Sequence, residues 1–510
     1  MRSKAIRFAV LAGITCAIGA VAPASALAQV GFPGPSFAAP TNAPFSPSAD
    51  KPQNKLWFHA GSWWGSLYST SAGGDGNGGF GIHRLDPGGW TYTGTLVDDR
   101  NSSQADALSE GGRLYIASVR PDVEGSAVLT RYSYDAGAGV YRPDAGFPVP
   151  IPTPAAAETI SLEKDTRGNL WVAYEAGGSV YVAHTSGNDA AFGAPYVLPV
   201  SQGASNLNED DIAAVVAYRS RIGVMWSNQT DGVMYFATHR DGRGDGAGDW
   251  SLDRALTGAG YADDHINLSS LRSDPAGRVI AVTKTSLDDN PASGSDAPLV
   301  LVLVLRPNGD WRRHTFGRVD DNHTRPIALV DSKTRRLYVF ATSPTGGGAI
   351  YYKQTSLDRI RFSRGRGRLF VEAGGALIND ATSTRQDLRN APGLVVLASD
   401  STNQRYMYNV RSLADRKRPA IRGLRVRRGR VSFRLSESAR VRFTAQRRLP
   451  GRGYRRVRGR FSRRGIPGRN RVRLGGRLRS LPAGSYRLVA VATDGSGNRS
   501  RPRRARFVAR

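Results

Sequence analysis

The chain of 510 residues is poor in several things at once, and each shortage closes off a class of protein. It has a single cysteine, Cys16. That residue lies in an N-terminal stretch that reads as a leader, so the rest of the chain must fold without a disulfide. A chain this long can bury enough surface to manage that. There are only seven histidines, and they are scattered, which gives a zinc site little support. No Asp-x-Asp-x-Asp-Gly loop occurs to make a calcium site specific. Past residue 28 no apolar run approaches the length needed to cross a bilayer. Helical periodicity is hard to find, which argues against alternating strands and helices.

What is present begins with the leader. Arg2, Lys4 and Arg7 precede an apolar run from Phe8 to Val21, and Ala26-Leu27-Ala28 fits a small-residue cleavage site. Residues 1–28 therefore read as an export signal. The expected location is secreted or cell-surface associated, with no transmembrane span in the mature chain. Thr15 is a poor residue to precede a lipidated cysteine, which weakens a lipid-anchor reading of Cys16. Residues 29–50, rich in Pro, Ala, Ser and Phe, read as a linker or as an arm that closes the following domain.

A repeat organises the next 360 or so residues. Its best copy is Asn169–Ser186, in which Leu170-Trp171-Val172-Ala173-Tyr174 and Val180-Tyr181-Val182-Ala183 flank the Gly177-Gly178 turn. Two β-branched and aromatic runs around Gly-Gly are a hairpin signal. Similar runs start at 56, 114, 170, 222, 279, 337 and 394, spaced by 52 to 58 residues. In the best copy the spacing predicts strands over 159–163, 170–175, 180–185 and 195–200. A steady period of this length with several strands per unit is a propeller signature. The expected fold is all-β: a seven-bladed, possibly six-bladed, β-propeller over 51–412, followed by a second domain over 413–510.

A short motif recurs ahead of the outermost strand. It reads Pro87-Gly88-Gly89-Trp90, Gly248-Asp249-Trp250 and Pro307-Asn308-Gly309-Asp310-Trp311, with a degraded copy at 186–192. It resembles a worn form of the Asp-box turn of sialidase-like propellers. The resemblance implies architecture and not sialidase chemistry. The Phe-Arg-Ile-Pro-type motif of those enzymes is missing, and the nearest string, Thr324-Arg325-Pro326-Ile327, sits in the sixth unit.

Polar residues recur just before the first strand of each unit. In a propeller these positions converge on one mouth, which would gather Asp106, Glu158, Asp211, Asp264, His265, Arg325 and Gln386. Such a ring could simply wet a channel. It could also bind the hydroxyls of an extracellular glycan or polysaccharide, with Trp63, Trp64 or Tyr261 as a stacking surface. A third reading is catalysis by a glycoside hydrolase through paired carboxylates, or by a polysaccharide lyase with His265 or His323 as base. No catalytic residue is assigned and no cofactor is expected. Calcium could use Asp210, Asp211, Asp263 and Asp264.

After Leu413 the acids nearly vanish. Residues 413–510 hold 32 Lys and Arg against 3 Asp and Glu, a net +29 that equals the charge of the whole chain. Residues 1–412 balance at 39 of each sign. Apolar and polar residues alternate in 431–435, 439–443, 472–474 and 486–492, as in half-buried strands. The stretch Ala483–Ser500, with Gly484-Ser485-Tyr486 and Asp494-Gly-Ser-Gly-Asn498, resembles the end of a bacterial immunoglobulin-like module. Arg440, Arg442, Arg471 and Arg473 fall on the outward phase. They suit an anionic cell-wall polymer as partner, while the export signal argues against nucleic acid.

Overall fold

The structure is a computed structural model that describes residues 29–38, 46–48, 53–73, 78–121, 123–263, 266–413, 418–494 and 497–509. The leader, most of the segment 39–52, and Asp264 and His265 lie outside the described residues.

Residues 56–412 form a succession of antiparallel sheets, numbered I to VII in order of their first strands. Sheet I holds Leu56–His59, Ser62–Ser69, Gly79–Asp86 and Gly89–Asp98. Sheet II begins at Gln104–Glu110, sheet III at Ser161–Lys164 and sheet IV at Ala213–Ala217. Sheets V, VI and VII begin at Ile266–Ser273, Thr324–Asp331 and Ile378–Thr382. Each runs up and down, strand next to strand. Sheet II gains a fifth strand, Val140–Pro143, that also pairs with Val128–Asp135.

The first strand of each sheet touches the first strand of the next. The series returns on itself where the Leu56 N–H donates to the Ser383 carbonyl at 3.0 Å. This is the arrangement of a β-propeller. Sheet VII takes its outermost strand from the other end of the chain: Phe32–Ser36 pairs antiparallel with Arg405–Ser412. Behind that strand, Phe37 is buried edge-on against Tyr406 at 5.4 Å.

Local sequence explains the strands. Leu170–Ala176 is buried at every position, as expected of a strand covered on both faces. Its Trp171 and Ala173 pack with Val215, Val224 and Trp226 of sheet IV, so neighbouring sheets share one apolar layer. Three copies of the Asp-box-like motif fall where sequence placed them, with Trp90, Trp250 and Trp311 at or beside the start of a fourth strand. One phase needs correction. Leu56–His59 is the first strand of its sheet, whereas the runs at 114, 170, 222, 279, 337 and 394 are second strands. The true counterpart is Ser62–Ser69. Leu56 and Trp57 are buried as deeply as a second strand, which hid the difference.

Beyond residue 418 come two further sheets. One orders Ile421–Arg427, Arg430–Leu435 and Gly468–Arg473; the other orders Gly453–Gly465, Ala439–Leu449, Gly484–Thr493 and Arg503–Ala509. Val431, Phe433, Val441, Phe443, Leu488 and Ala490 fill one core between them. Along Ala439–Ala445 buried residues alternate with Arg440, Arg442 and Thr444, which face outward. This β-sandwich touches sheet VI, where the Ser438 hydroxyl donates to Asp358 at 2.7 Å and Asp358 also pairs with Arg335.

Candidate functional site

Antiparallel order gives the propeller two unlike faces. The upper face holds the starts of the first strands and the turns from second to third strand. The lower face holds the turns from first to second and from third to fourth. The described polar residues expected at one mouth divide among the upper face, the interior and the lower end.

At the junction of sheets III and IV the upper face gathers three carboxylates. Glu158 precedes the first strand of sheet III, and Asp211 precedes that of sheet IV. Glu175 ends the apolar run of the second strand in sheet III, just before Gly177 and Gly178, whose φ values are +56° and +76°. Those angles favour glycine, and the turn lets the Gly178 N–H donate to Glu175 Oε1 at 2.7 Å. Burial pushes the Glu175 carboxyl up to about 7, and the charges of Asp211 and Glu158 add to the shift. Asp211 is buried and accepts the N–H groups of Asn208, at 3.0 Å, and Gln229. Glu175 was missed as a site residue. The available signal was a lone acid at the end of a strand with no other charge.

Farther round the upper face, Arg325 and Asp380 meet at 2.7 Å. Both are non-glycine residues in the left-handed region, with φ of +47° and +55°. Each lies where the pairing of its sheet's first two strands slips, between Thr324 and Ile327 and between Asn379 and Thr382. Such bulges re-aim a side chain, and strained backbone of this kind persists where surrounding structure holds it. Ser48 Oγ donates to the Asp380 carbonyl at 2.8 Å, which ties residues near 48 to this spot. Between the two groups, Lys284 pairs with Asp263 and Asp288, each at 2.9 Å. Burial works against its charge, yet the two carboxylates hold the Lys284 pKa above the usual value.

Asp106 does not reach the mouth. The first strand of sheet II begins at Gln104, so Asp106 is its third residue and points into the channel wall. It is fully buried, accepting the N–H groups of Asn54 at 2.9 Å and Leu162 at 2.8 Å, and it pairs with Arg385. Arg385 also reaches Glu163 at 3.4 Å. Buried Arg272 lies close enough to feel these charges, and its Nε donates to the Ala328 carbonyl at 3.0 Å. Burial pushes the Glu163 carboxyl up and the Arg272 guanidinium well down. An ionic plug thus occupies the axis.

Gln386 lies at the lower end, in the connection between the first two strands of sheet VII. Its side chain accepts the Phe58 N–H at 2.7 Å and donates to the Ser109 carbonyl at 3.4 Å, so it ties sheets together.

Two further expectations fail on burial. Trp63 and Trp64 are core residues, and Trp64 sits edge-on to Tyr141 at 5.2 Å, so neither offers a stacking surface. His323 has no exposed surface, donates from Nε2 to the Arg366 carbonyl at 3.0 Å, and is held near a pKa of about 4 by burial. It cannot meet a substrate as a base. Among the described residues no group of three or more His, Cys, Asp or Glu is placed to hold a metal ion. Among the same residues no helix is long and apolar enough to cross a membrane.

No family model matches the sequence, and no curated protein does. Among solved structures, a protein of unknown function from Dyadobacter fermentans is similar at 13% identity and a TM-score of 0.38, over 61% of this chain and 94% of that one. A subtype N11 neuraminidase-like protein (A/flat-faced bat/Peru) is similar at 9% identity and a TM-score of 0.37, over 76% and 97%. An endo-arabinase from Bacteroides thetaiotaomicron is similar at 12% identity and a TM-score of 0.29, over 61% and 96%. Likenesses this loose carry no argument about activity.

Proposed function

We propose that this is an extracytoplasmic protein whose seven sheets act as the blades of a propeller that binds an extracellular glycan on its upper face. The observation that carries this reading is the group Glu158, Glu175 and Asp211 at one sheet boundary. Glu158 is partly exposed and can accept sugar hydroxyls, while Glu175 and Asp211, buried behind it and held by backbone N–H groups, fix the negative charge of the spot. Arg325, aimed by its bulge, supplies a donor on the same face. Asp264 and His265, also expected at this rim, lie outside the described residues. No cofactor is needed.

The basic sandwich is read as an immunoglobulin-like module that holds the protein to a polyanionic surface such as an anionic cell-wall polymer. Its arginines stand opposite one another across strands: Arg430 and Arg473, Arg434 and Arg469, Arg440 and Arg464, Arg487 and Arg506. Like charges directly opposite are destabilising, and a bound polyanion would relieve that repulsion.

A glycan array probed with the mature chain, in parallel with Asp211→Asn and Arg325→Ala variants, tests the upper face. Loss of a defined glycan signal in both variants supports the reading; equal signals from all three proteins remove it.

The alternative, a glycoside hydrolase or polysaccharide lyase, is favoured by one observation. Glu175 is a carboxyl able to hold its proton near neutrality beside other acids, as a general acid must. Release of reducing ends from a polysaccharide, abolished by Glu175→Gln, would establish it.

A further inference from the structure

The lower face carries a second site, separate from the upper rim. A cleft of about 440 Å³ opens between sheets IV and V. Its apolar side is formed by Tyr218, Trp250 and Leu305, and four guanidinium groups, of Arg219, Arg221, Arg240 and Arg306, stand around it. Asp249 and Asp253 are the acids of the lining, so the cleft has an excess of positive charge. Among the described residues Arg221, Arg240 and Arg306 have no carboxylate partner. On the same face Arg278 is paired with Asp274 and Arg335 with Asp358.

The backbone shows that this arrangement is held at a cost. Arg219 and Ser220 form the two-residue turn between the first strands of sheet IV, closed by the Tyr218 N–H to the Arg221 carbonyl at 2.8 Å. Both central residues have positive φ, +50° and +56°. Such turns normally use Asn-Gly or Asp-Gly, and arginine is a poor fit to those angles. The Arg219 side chain lies across the sheet boundary. A Cβ on Gly277, itself at φ +73°, would stand 2.1 Å from the Arg219 Nε. The guanidinium reaches the Pro307 carbonyl at 3.3 Å. A strained arginine is therefore kept at the cleft and given room by a glycine on the neighbouring sheet.

We infer that this cleft binds a single anionic sugar unit, one that carries a carboxylate or a phosphate. Guanidinium forks match the paired oxygens of either group. Tyr218 and Trp250 are largely buried and form only an apolar floor under the guanidinium groups, and the volume is in the range of small-ligand sites. The cleft lies on the lower face, the face that the basic sandwich also touches at Asp358. The inference does not depend on the upper-face reading.

The test is calorimetric titration of the mature chain with three soluble probes: trigalacturonate, glucose 6-phosphate and neutral maltotriose. Salt is kept at about 150 mM to screen loose attraction to the basic sandwich. Binding of one or both anionic probes, and not of maltotriose, is expected; which one binds identifies the anionic group. Arg240→Ala and Arg306→Ala should each weaken it about tenfold. Arg442→Ala in the sandwich and Asp211→Asn on the upper face should leave it unchanged. Arg219→Asn, which suits the left-handed turn, should raise the melting temperature while lowering affinity, an outcome that a purely structural role would not produce. The inference is overturned if neither anionic probe binds, if the cleft variants retain full affinity, or if Arg442→Ala loses as much as they do.

Discussion

The propeller and the basic sandwich solve the same burial problem and treat charge in opposite ways. Both hide apolar residues between sheets. In the propeller, acids and bases are equal in number over residues 1–412, and many are spent inside the fold. Asp106 with Arg385, and Asp263 with Lys284, are buried pairs closed by further hydrogen bonds. In the sandwich the arginines outnumber acids tenfold or so, and they face water and one another. Internal charge in one region serves architecture; external charge in the other faces solvent and like charge. The difference teaches that net charge locates a binding surface only after pairing is subtracted.

Breaking the internal network should have the largest effect. Asp106→Ala leaves Arg385 buried with a missing partner, which costs about 3–5 kcal/mol. Thermal unfolding of the variant should show a large fall in melting temperature. A change of less than about 1 kcal/mol would mean that the axial plug is solvated and not structural.

Protonation should come next in size. Burial holds His83 and His323 near pKa values of about 4, below the ordinary 6.5. The unfolded chain therefore takes up protons first as pH falls, and stability is lost between about 6.5 and 4. Each histidine contributes roughly 3 kcal/mol over that window. A His83→Gln, His323→Gln double variant should show a flatter stability profile there, provided that it still folds.

Glu175 works with the opposite sign. Its folded pKa, about 7, lies above the ordinary 4.5. The folded chain binds the extra proton, so this contribution falls as pH rises from about 4.5 to 7. Glu175→Gln should therefore stabilise the protein above pH 7, by about 1–2 kcal/mol after allowance for partial solvent screening, and change little at pH 4. Chemical denaturation at pH 4 and pH 8 measures the difference.

The smallest effect tests the sandwich. Arg473 faces Arg430 across the three-stranded sheet, and both are exposed. Arg473→Glu replaces repulsion with attraction and should add about 0.2–1 kcal/mol. The same variant should bind a polyanion such as polyphosphate more weakly and with a shallower dependence on salt. A gain in stability with unchanged binding would separate the charge from adhesion.

Much of the architecture was legible from local pattern. The hairpin Leu170–His184 and its copies are written in β-branched and aromatic runs around glycine turns, and those turns appear as expected. The one misplaced phase, Leu56–His59, arose because a buried first strand and a buried second strand use the same residues. The site was less legible. Glu158 and Asp211 were singled out from their place before a strand, but Glu175 stands beside them only because a turn of one sheet faces the start of the next. Asp106 and Gln386 looked like their neighbours in the repeat, yet a two-residue shift or the opposite end of a strand put each in a structural bond.

The order of residues alone determined that the protein is all-β, that residues 51–412 repeat, and that its excess charge belongs to the last hundred or so, because periodicity and charge are properties of neighbours in sequence. Which polar groups face one another was decided by ring closure and by bulges at Arg325 and Asp380. Those contacts join residues tens to hundreds of positions apart, and no local pattern encodes a distance through space.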